Sequence, residues 1–358
     1  MSKWILPVAL VAVLVAPRAA RIAHPNANLA DEAIFYLPFL ASTGLAPYTD
    51  FACPYNPGSV WLLGGAYAVF GASYRVAEGV TAVLATGIAG LLFVCGRRAF
   101  GPLGGFVAAA VFAWHPLIVA YHVFAVELCT ALCVWGAIAL LQQDAPLSLR
   151  QVSAIALLMT AAWLFKQSAA GPALGVALCL WFARGERRSA VRYVVVVCLL
   201  AGAATAALAL RYGAPYIEQT LIFHWAKGEA CPLVWRPILF IRKCCDPLSL
   251  LGAAGLALFT LRRSKDRKAL VVAWLFAAEL LVNVLLSSTY WSHTHIPMCA
   301  YLAFFAGYLA REARTLAPRL AGAAGGARWR ALKPFALAAL CAAALVALSG
   351  ENVWRAAR

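Results

Sequence analysis

Charged side chains are scarce in this sequence, and a few of them stand directly beside apolar segments. Asp31 and Glu32 form an acidic pair after the first apolar segment, Glu127 lies near the start of another, and Lys166 follows the end of a third. Ionised groups beside or inside apolar segments are costly, and they commonly mark functional sites. A carboxylate can act as a general base, and a lysine can bind a phosphate group. These residues are therefore candidates for catalysis and anion binding.

Further basic and histidine residues lie in two loops later in the chain. Arg242 and Lys243 belong to a loop rich in tryptophan, and His293 and His295 stand in the polar aromatic stretch 290–297. All four are candidates for contacts with phosphate or sugar. The two histidines are a weak candidate for a metal site, because a spacing of two residues suits a strand better than a helix. The sequence also has no H-E-x-x-H pattern.

The composition indicates which kind of protein must position these residues. Of the 358 residues, 64% are hydrophobic and 12% are charged, and the mean hydropathy is +0.80. These values exclude a soluble domain and predict an all-α polytopic membrane protein, because helices satisfy their own backbone hydrogen bonds in a bilayer. The net charge is +16, and the basic residues that produce it lie in short loops between apolar segments. It is therefore explained by membrane topology and by contacts with anionic membrane lipids, and not by nucleic-acid binding.

The apolar segments divide the chain into about eleven transmembrane helices within a single membrane domain, residues 1–358. Most of the 30 Lys and Arg fall in loops predicted to be inside, so the N-terminus is predicted to be cytoplasmic. Two long loops, residues 17–72 and residues 212–246, are then outside. Residues 59–70 are too short to span and are predicted to form a juxtamembrane helix. The predicted spans are residues 4–16, 74–95, 102–118, 124–141, 152–165, 168–183, 190–211, 247–261, 269–286, 294–310 and 335–349.

The first outer loop carries a pattern that extends over roughly forty residues. Residues 48–51 read YTDF, residues 55–58 read YNPG, and residues 70–71 read FG. This loop resembles that of the GT-C superfamily of membrane glycosyltransferases, such as protein O-mannosyltransferases and lipid A aminoarabinose transferases. In that family an acidic residue follows the first transmembrane helix and precedes a run of the form Y-x-D-F, Y-P-P-G and L-F-G. The matched positions are Tyr48, Asp50, Phe51, Tyr55, Pro57, Gly58, Phe70 and Gly71, with Asn56 in place of the more usual proline.

The resemblance, which is strongest over residues 24–185, implies an activity. It implies an inverting glycosyltransferase that moves a sugar from a polyprenyl-phosphate donor to a lipid, glycan or protein acceptor. The reaction is expected on the outer face of the bacterial inner membrane, in assembly of the cell envelope. No organic cofactor is implied, and a divalent cation, Mg²⁺ or Mn²⁺, with Asp31 and Glu127 as ligands, is left open.

The resemblance also implies roles for individual residues. Asp31 is expected to deprotonate the acceptor, with Glu32 beside it tuning the charge or binding a metal. Glu127 matches a second family acid, which helps to hold a metal or the acceptor. Lys166 matches a lysine that binds the donor phosphate. The residues expected in the substrate loop are Tyr48, Asp50 and Tyr55.

Structural explanations for the same residues stay open beside these roles. Asp31 precedes a helix-compatible stretch and has the residue type of a helix N-cap. Glu127 could instead be the buried partner of a Lys or His, and Lys166 a side chain that snorkels to the interface. Residues 166–168 form either a turn or a kinked re-entrant feature. Glu279 and Asn283 are one helical turn apart, so they are expected to face the bundle interior and to bond neighbouring helices.

Other classes of function also fit a polytopic chain with intramembrane charges. A flippase for lipid-linked sugars or a small-solute transporter places such charges along an alternating-access path, although the paired broken helices typical of transporters are not evident in the sequence. A non-catalytic membrane subunit is a third alternative, and it would tolerate the loss of Asp31. Among the 11 cysteines, a disulfide between Cys231 and either Cys244 or Cys245 is compatible with an outer loop.

Overall fold

The computed structural model describes residue 19 and residues 32–119, 125–223, 246–282 and 296–322, with the backbone alone at 32–34 and 316–322. Within these ranges every regular element is a helix, and one isolated bridge pairs Pro47 with Phe51. The predicted all-α class is therefore confirmed for this part of the chain. The helices are α1 (Glu32–Ser42), α2 (Gly58–Phe70), α3 (Tyr74–Ala113), α4 (Pro116–Val119), α5 (Ala125–Leu141), α6 (Leu149–Phe165), α7 (Ala170–Leu178), α8 (Arg187–Tyr212), α9 (Ala214–Ile217), α10 (Pro247–Leu261), α11 (Arg267–Leu280) and α12 (Ile296–Gly322).

The long helix α3 is interrupted near its middle. Gly101 has a φ of 83°, a conformation that glycine adopts without steric cost, and Pro102 follows it. The 40 residues of α3 are therefore two helical segments joined at a kink. The break lies between the predicted spans 74–95 and 102–118. The juxtamembrane segment predicted at 59–70 is also helical, as α2.

Two of the described helices, α3 and α8, are long and apolar enough to cross a membrane. Five shorter apolar stretches of 10–17 residues accompany them. In the most apolar part of α8 only 11% of the residues are buried, compared with 44% in α3. Most of the apolar side chains of α8 are thus directed away from the other helices. The number of membrane crossings stays a prediction.

Small residues allow the helices to approach closely where they cross. A side chain at Gly252 or Gly255 of α10 would overlap the backbone of α12. Gly171 and Gly175 of α7 have the G-x-x-x-G spacing typical of close helix pairs, and both lie against α11. A Cβ at Gly171 would stand 3.1 Å from the Cα of Glu279. This crossing brings Glu279 towards the chain segment that contains Lys166.

Ionised side chains collect at opposite ends of the helices. At one end Arg184 donates hydrogen bonds to the backbone oxygens of Leu141 and Gln143. At the other end, about 25 Å away along α6, Lys166 pairs with Glu127. The loops predicted to be inside thus meet at one end of the bundle, and the candidate site lies at the other. The ion pairs at the Arg184 end involve Asp144, Glu186, Arg262, Asp266, Arg267, Lys268, Arg311 and Glu312.

Candidate active site

The ion pair between Lys166 and Glu127 is the centre of the candidate site. The Nζ atom of Lys166 lies 2.9 Å from Oε1 of Glu127. The Glu127 side chain is 1% exposed and that of Lys166 is 12% exposed, so the carboxylate is buried and the ammonium retains some access to its surroundings. Both charges are therefore paired within hydrogen-bonding distance, as buried charges require.

The ends of two helices create this pair. Glu127 lies in the first turn of α5, and Lys166 is the residue at which α6 ends. Lys166 has an extended backbone, with φ of −153° and ψ of 131°, and a 3₁₀ turn over Gln167–Ala169 leads into α7. α7 then returns to Arg184 at the opposite end of the bundle. The break at residues 166–168 is therefore a turn between two antiparallel helices, and not a re-entrant kink.

Two further buried polar residues belong to the same part of the structure. Burial raises the pKa of the Tyr55 phenol, and the charge of Glu127 raises it further, so this hydroxyl keeps its proton near the carboxylate. Glu279 of α11 is 3% exposed, and its carboxylate interacts through charge with Lys166. Lys166 is thus paired with one buried carboxylate, and a second buried acid lies on the helix that packs against α7. The sequence indicated that Glu279 faces the bundle interior, but its spacing gave no sign that it approaches Lys166.

The YTDF segment forms a tight turn that is held by its own side chains. Tyr48 has a φ of 70°, and its hydroxyl donates a 2.7 Å hydrogen bond to the backbone oxygen of Tyr55. The Asp50 carboxylate accepts a 2.7 Å hydrogen bond from the backbone nitrogen of Ala46. Tyr48 is buried and Asp50 is exposed. Both residues fix the shape of the loop, and their expected contacts with substrate stay a prediction.

The YNPG segment fastens the first loop to the end of α6. Asn56 is fully buried, and its side-chain nitrogen donates a 2.5 Å hydrogen bond to the backbone oxygen of Trp163. The Tyr216 hydroxyl donates to Oδ1 of Asn56 at 3.0 Å. A Cβ at Gly58 would stand 2.7 Å from the backbone oxygen of Leu164. The loop therefore packs directly against the residues that precede Lys166.

The beginning of the second long loop belongs to the same assembly. Residues 214–222, predicted as the start of this loop, are helical and continue α8 after a bend at Gly213. Gln219 accepts a 2.8 Å hydrogen bond from the nitrogen of Cys53 and donates one of 3.1 Å to the oxygen of Tyr48. Sequence reasoning did not identify Tyr216 or Gln219, because neutral residues in a long loop carry no spacing signal.

His115 fastens the start of α10 to the end of α3. Its Nε2 atom lies 2.9 Å from Oγ of Ser249 and 3.2 Å from Oδ2 of Asp246, and its Nδ1 atom accepts from the nitrogen of Leu117 at 3.2 Å. Burial raises the pKa of Asp246, but hydrogen bonds from His115 and Ser249 outweigh it and lower the value to about 2.

Several residues predicted for the site lie outside the described residues. Glu32 is the first residue of α1, and Asp31 directly precedes it. The proposed disulfide cysteines, Cys231, Cys244 and Cys245, also lie outside the described ranges, as does Asn283. The predicted site residues that lie outside the described ranges are Asp31, Arg242, Lys243, His293 and His295.

The described part of the site does not by itself form a metal centre. No group of three or more His, Cys, Asp or Glu converges within the described ranges. Oε1 of Glu127 accepts from the Lys166 ammonium, whose positive charge opposes a cation at the same oxygen.

Comparison with known proteins identifies the fold. No family model and no curated protein sequence matches the chain. The structure is similar to ArnT from Cupriavidus metallidurans bound to undecaprenyl phosphate, with a TM-score of 0.70 and 17% identity over 99% of this chain and 74% of ArnT. It is also similar to the oligosaccharyltransferase of Archaeoglobus fulgidus in its apo form, with a TM-score of 0.63 and 13% identity.

A complex of that archaeal oligosaccharyltransferase, AglB, with an inhibitory peptide and a dolichol-phosphate has a TM-score of 0.57. This chain spans 56% of the oligosaccharyltransferase in both of these structures. Both neighbours are GT-C superfamily glycosyltransferases. The fold that the pattern of the first loop indicated is thus confirmed, and this chain has the GT-C fold.

Proposed function

We propose that this protein is an integral membrane glycosyltransferase that transfers a sugar from a polyprenyl-phosphate donor to an acceptor. The reaction takes place on the outer face of the bacterial inner membrane, with the N-terminus in the cytoplasm. The observation that carries the proposal is the position of Lys166. A partly accessible ammonium stands at a helix end, against the loop that has the family pattern, in a fold whose neighbours include ArnT bound to undecaprenyl phosphate.

Lys166 binds the phosphate of the donor and stabilises the charge that develops on it. Positive charge that is fixed before the reaction, in a site with little water, stabilises such charge more strongly than water does. The YNPG contacts and the turn at residues 166–168 hold the lysine at the end of α6. Arg242 and Lys243 shortly precede Asp246, and His293 and His295 shortly precede α12, so we assign these four residues to the same phosphate site.

Asp31 acts as the general base in the transfer step. Its carboxylate takes the proton of the acceptor hydroxyl, and the acceptor oxygen forms a bond to the anomeric carbon of the sugar. The bond between that carbon and the phosphate oxygen breaks, and its electron pair stays on the polyprenyl phosphate. Attack from the face opposite the phosphate inverts the anomeric configuration. Glu32 and Glu127 support the acceptor side, and Tyr55 belongs to the substrate loop.

Binding of the lipid phosphate gives a direct test of this function. The detergent-purified protein is heated with polyprenyl phosphate or with the polyprenol of the same length, for wild type and Lys166→Ala. A ligand at one hundred times its Kd stabilises the native state by about 2.7 kcal/mol, so specific binding raises the melting temperature. We expect stabilisation by the phosphate alone, and its loss in the variant. Equal effects of phosphate and polyprenol would reject the transferase and favour transport of a lipid-linked sugar or small solute.

A further inference from the structure

The charges around Lys166 determine which kind of phosphate group this site binds more tightly. The ammonium is already 2.9 Å from the buried Glu127 carboxylate. A phosphate that approaches Lys166 therefore meets a cation with negative charge close behind it. Such an arrangement weakens the binding of every anion, and the penalty grows with the charge of the anion.

The donor and the lipid product of the proposed reaction differ in this charge. A polyprenyl phosphate linked to a sugar is a phosphodiester with a single negative charge. After transfer the lipid carries a phosphomonoester, whose second ionisation lies near pH 6, so its charge approaches −2 at neutral pH. The polyprenyl tail is the same in both molecules. Without an opposing charge, Lys166 would hold the spent lipid more tightly than the donor.

We propose that Glu127 sets the preference of this site for a singly charged phosphodiester over a doubly charged phosphomonoester. The inference rests on the proposed function, and it makes Glu127 a specificity-determining residue. Its carboxylate partly neutralises Lys166 and repels the second charge of the product. Glu127 therefore promotes release of the polyprenyl phosphate after the sugar has left. Competition for the Lys166 ammonium is sufficient for this effect, whatever other contacts Glu127 makes.

The test compares two lipids that differ only in phosphate charge. Dissociation constants are measured at pH 8 for a polyprenyl phosphate and for the methyl phosphodiester of the same lipid. We expect wild type to bind the diester at least as tightly as the monoester. Glu127→Gln should increase the affinity for the monoester relative to the diester by about tenfold, the order expected when one repelling charge is removed from a partly screened site. Glu127→Asp keeps the charge and should keep the wild-type ratio.

A matched control comes from the opposite end of the bundle. Glu312 is also buried, and it pairs with Arg262 and Arg311. Glu312→Gln removes a buried acid of the same type and should leave the ratio unchanged. The effect of Glu127→Gln is thereby separated from a general loss of stability.

The outcomes distinguish the two proposals. If wild type binds neither phosphate better than the matching polyprenol, the proposed function fails. If wild type binds both phosphates but prefers the monoester, the selectivity assigned to Glu127 is wrong. Measurements on the wild-type protein alone are enough to show this. The same conclusion follows if Glu127→Gln weakens both ligands equally, because Glu127 then only positions Lys166. As a kinetic readout, polyprenyl phosphate should inhibit Glu127→Gln more strongly than wild type.

Discussion

The side chain of Asn56 donates a 2.5 Å hydrogen bond to the backbone oxygen of Trp163. This contact joins the first loop to the last turn of α6, three residues before Lys166. It occurs at the position where the family pattern more usually has proline, a residue that can donate no hydrogen bond. The departure from the pattern thus has a structural consequence, because Asn56 links the loop to the helix end that carries Lys166.

Replacement of Asn56 should therefore destabilise the protein and weaken lipid-phosphate binding together. Asn56→Ala removes the bond to Trp163 and leaves the Tyr216 hydroxyl without its Oδ1 acceptor. Two buried polar groups that lose their partners cost about 2–4 kcal/mol. The check is the melting temperature in detergent, with and without polyprenyl phosphate. Tyr216→Phe, which leaves the bond to Trp163 in place, should cost less and should retain binding. Wild-type stability of Asn56→Ala would show that the contact is unimportant.

Two glycines of α2 give a paired test of the contact with α6. A Cβ at Gly58 would stand 2.7 Å from the oxygen of Leu164 and 2.9 Å from Cδ1 of Phe165, whereas a Cβ at Gly65 would meet no atom within 4 Å. Gly58→Ala should therefore lower the melting temperature and displace the turn that carries Lys166. Gly65→Ala should be neutral or slightly stabilising, because alanine is the better helix former. Binding of polyprenyl phosphate should be weakened at least tenfold by the first change and unaltered by the second. Equal behaviour of the two variants would contradict the close approach.

Asp31 and Glu32 are distinguished by their expected effects on turnover. Asp31→Asn should lower the transfer rate by roughly 10²- to 10⁴-fold, the usual contribution of a general base, while polyprenyl-phosphate binding is retained. Glu32→Gln should reduce turnover much less. Single-turnover kinetics with a labelled donor separate the chemical step from binding. Substantial turnover in Asp31→Asn would remove the base role and favour the helix N-cap. A large loss in Glu32→Gln alone would assign the base to Glu32.

Most of the helices were predictable because they leave a strong local signal, whereas the helical residues 214–222 were predicted as part of a loop. Long apolar runs, the Gly101–Pro102 break and the short stretch 59–70 all correspond to observed elements. The first loop was predictable as a family pattern, because its turn residues occur at fixed spacing. Lys166 was predictable as a candidate because a lysine beside an apolar segment is unusual.

The partners of these residues were not predictable from one sequence. Tyr216 and Asn56 are separated by 160 positions, and only the packing of α9 against the first loop brings them together. Glu279 approaches Lys166 because Gly171 allows α7 and α11 to come close, which is a property of two segments and not of either one. The sequence left open whether Glu127 pairs with Lys or His, and the structure assigns it to Lys166.

Acid should weaken the link between α3 and α10 through Asp246. Hydrogen bonds from His115 and Ser249 lower the pKa of this carboxyl to about 2, below its ordinary value of 3.8. The folded chain therefore keeps Asp246 ionised at a pH where the unfolded chain binds a proton. The stabilisation, about 2 kcal/mol, is fully present above roughly pH 5 and is lost as the pH falls from about 4 to about 2.

The melting temperature of wild type should exceed that of Asp246→Asn at pH 6, and the difference should disappear near pH 2. Asparagine can still cap α10, so the variant isolates the charge. A difference that is constant with pH would mean that Asp246 stabilises α10 by its shape and hydrogen bonds, and not by its ionisation.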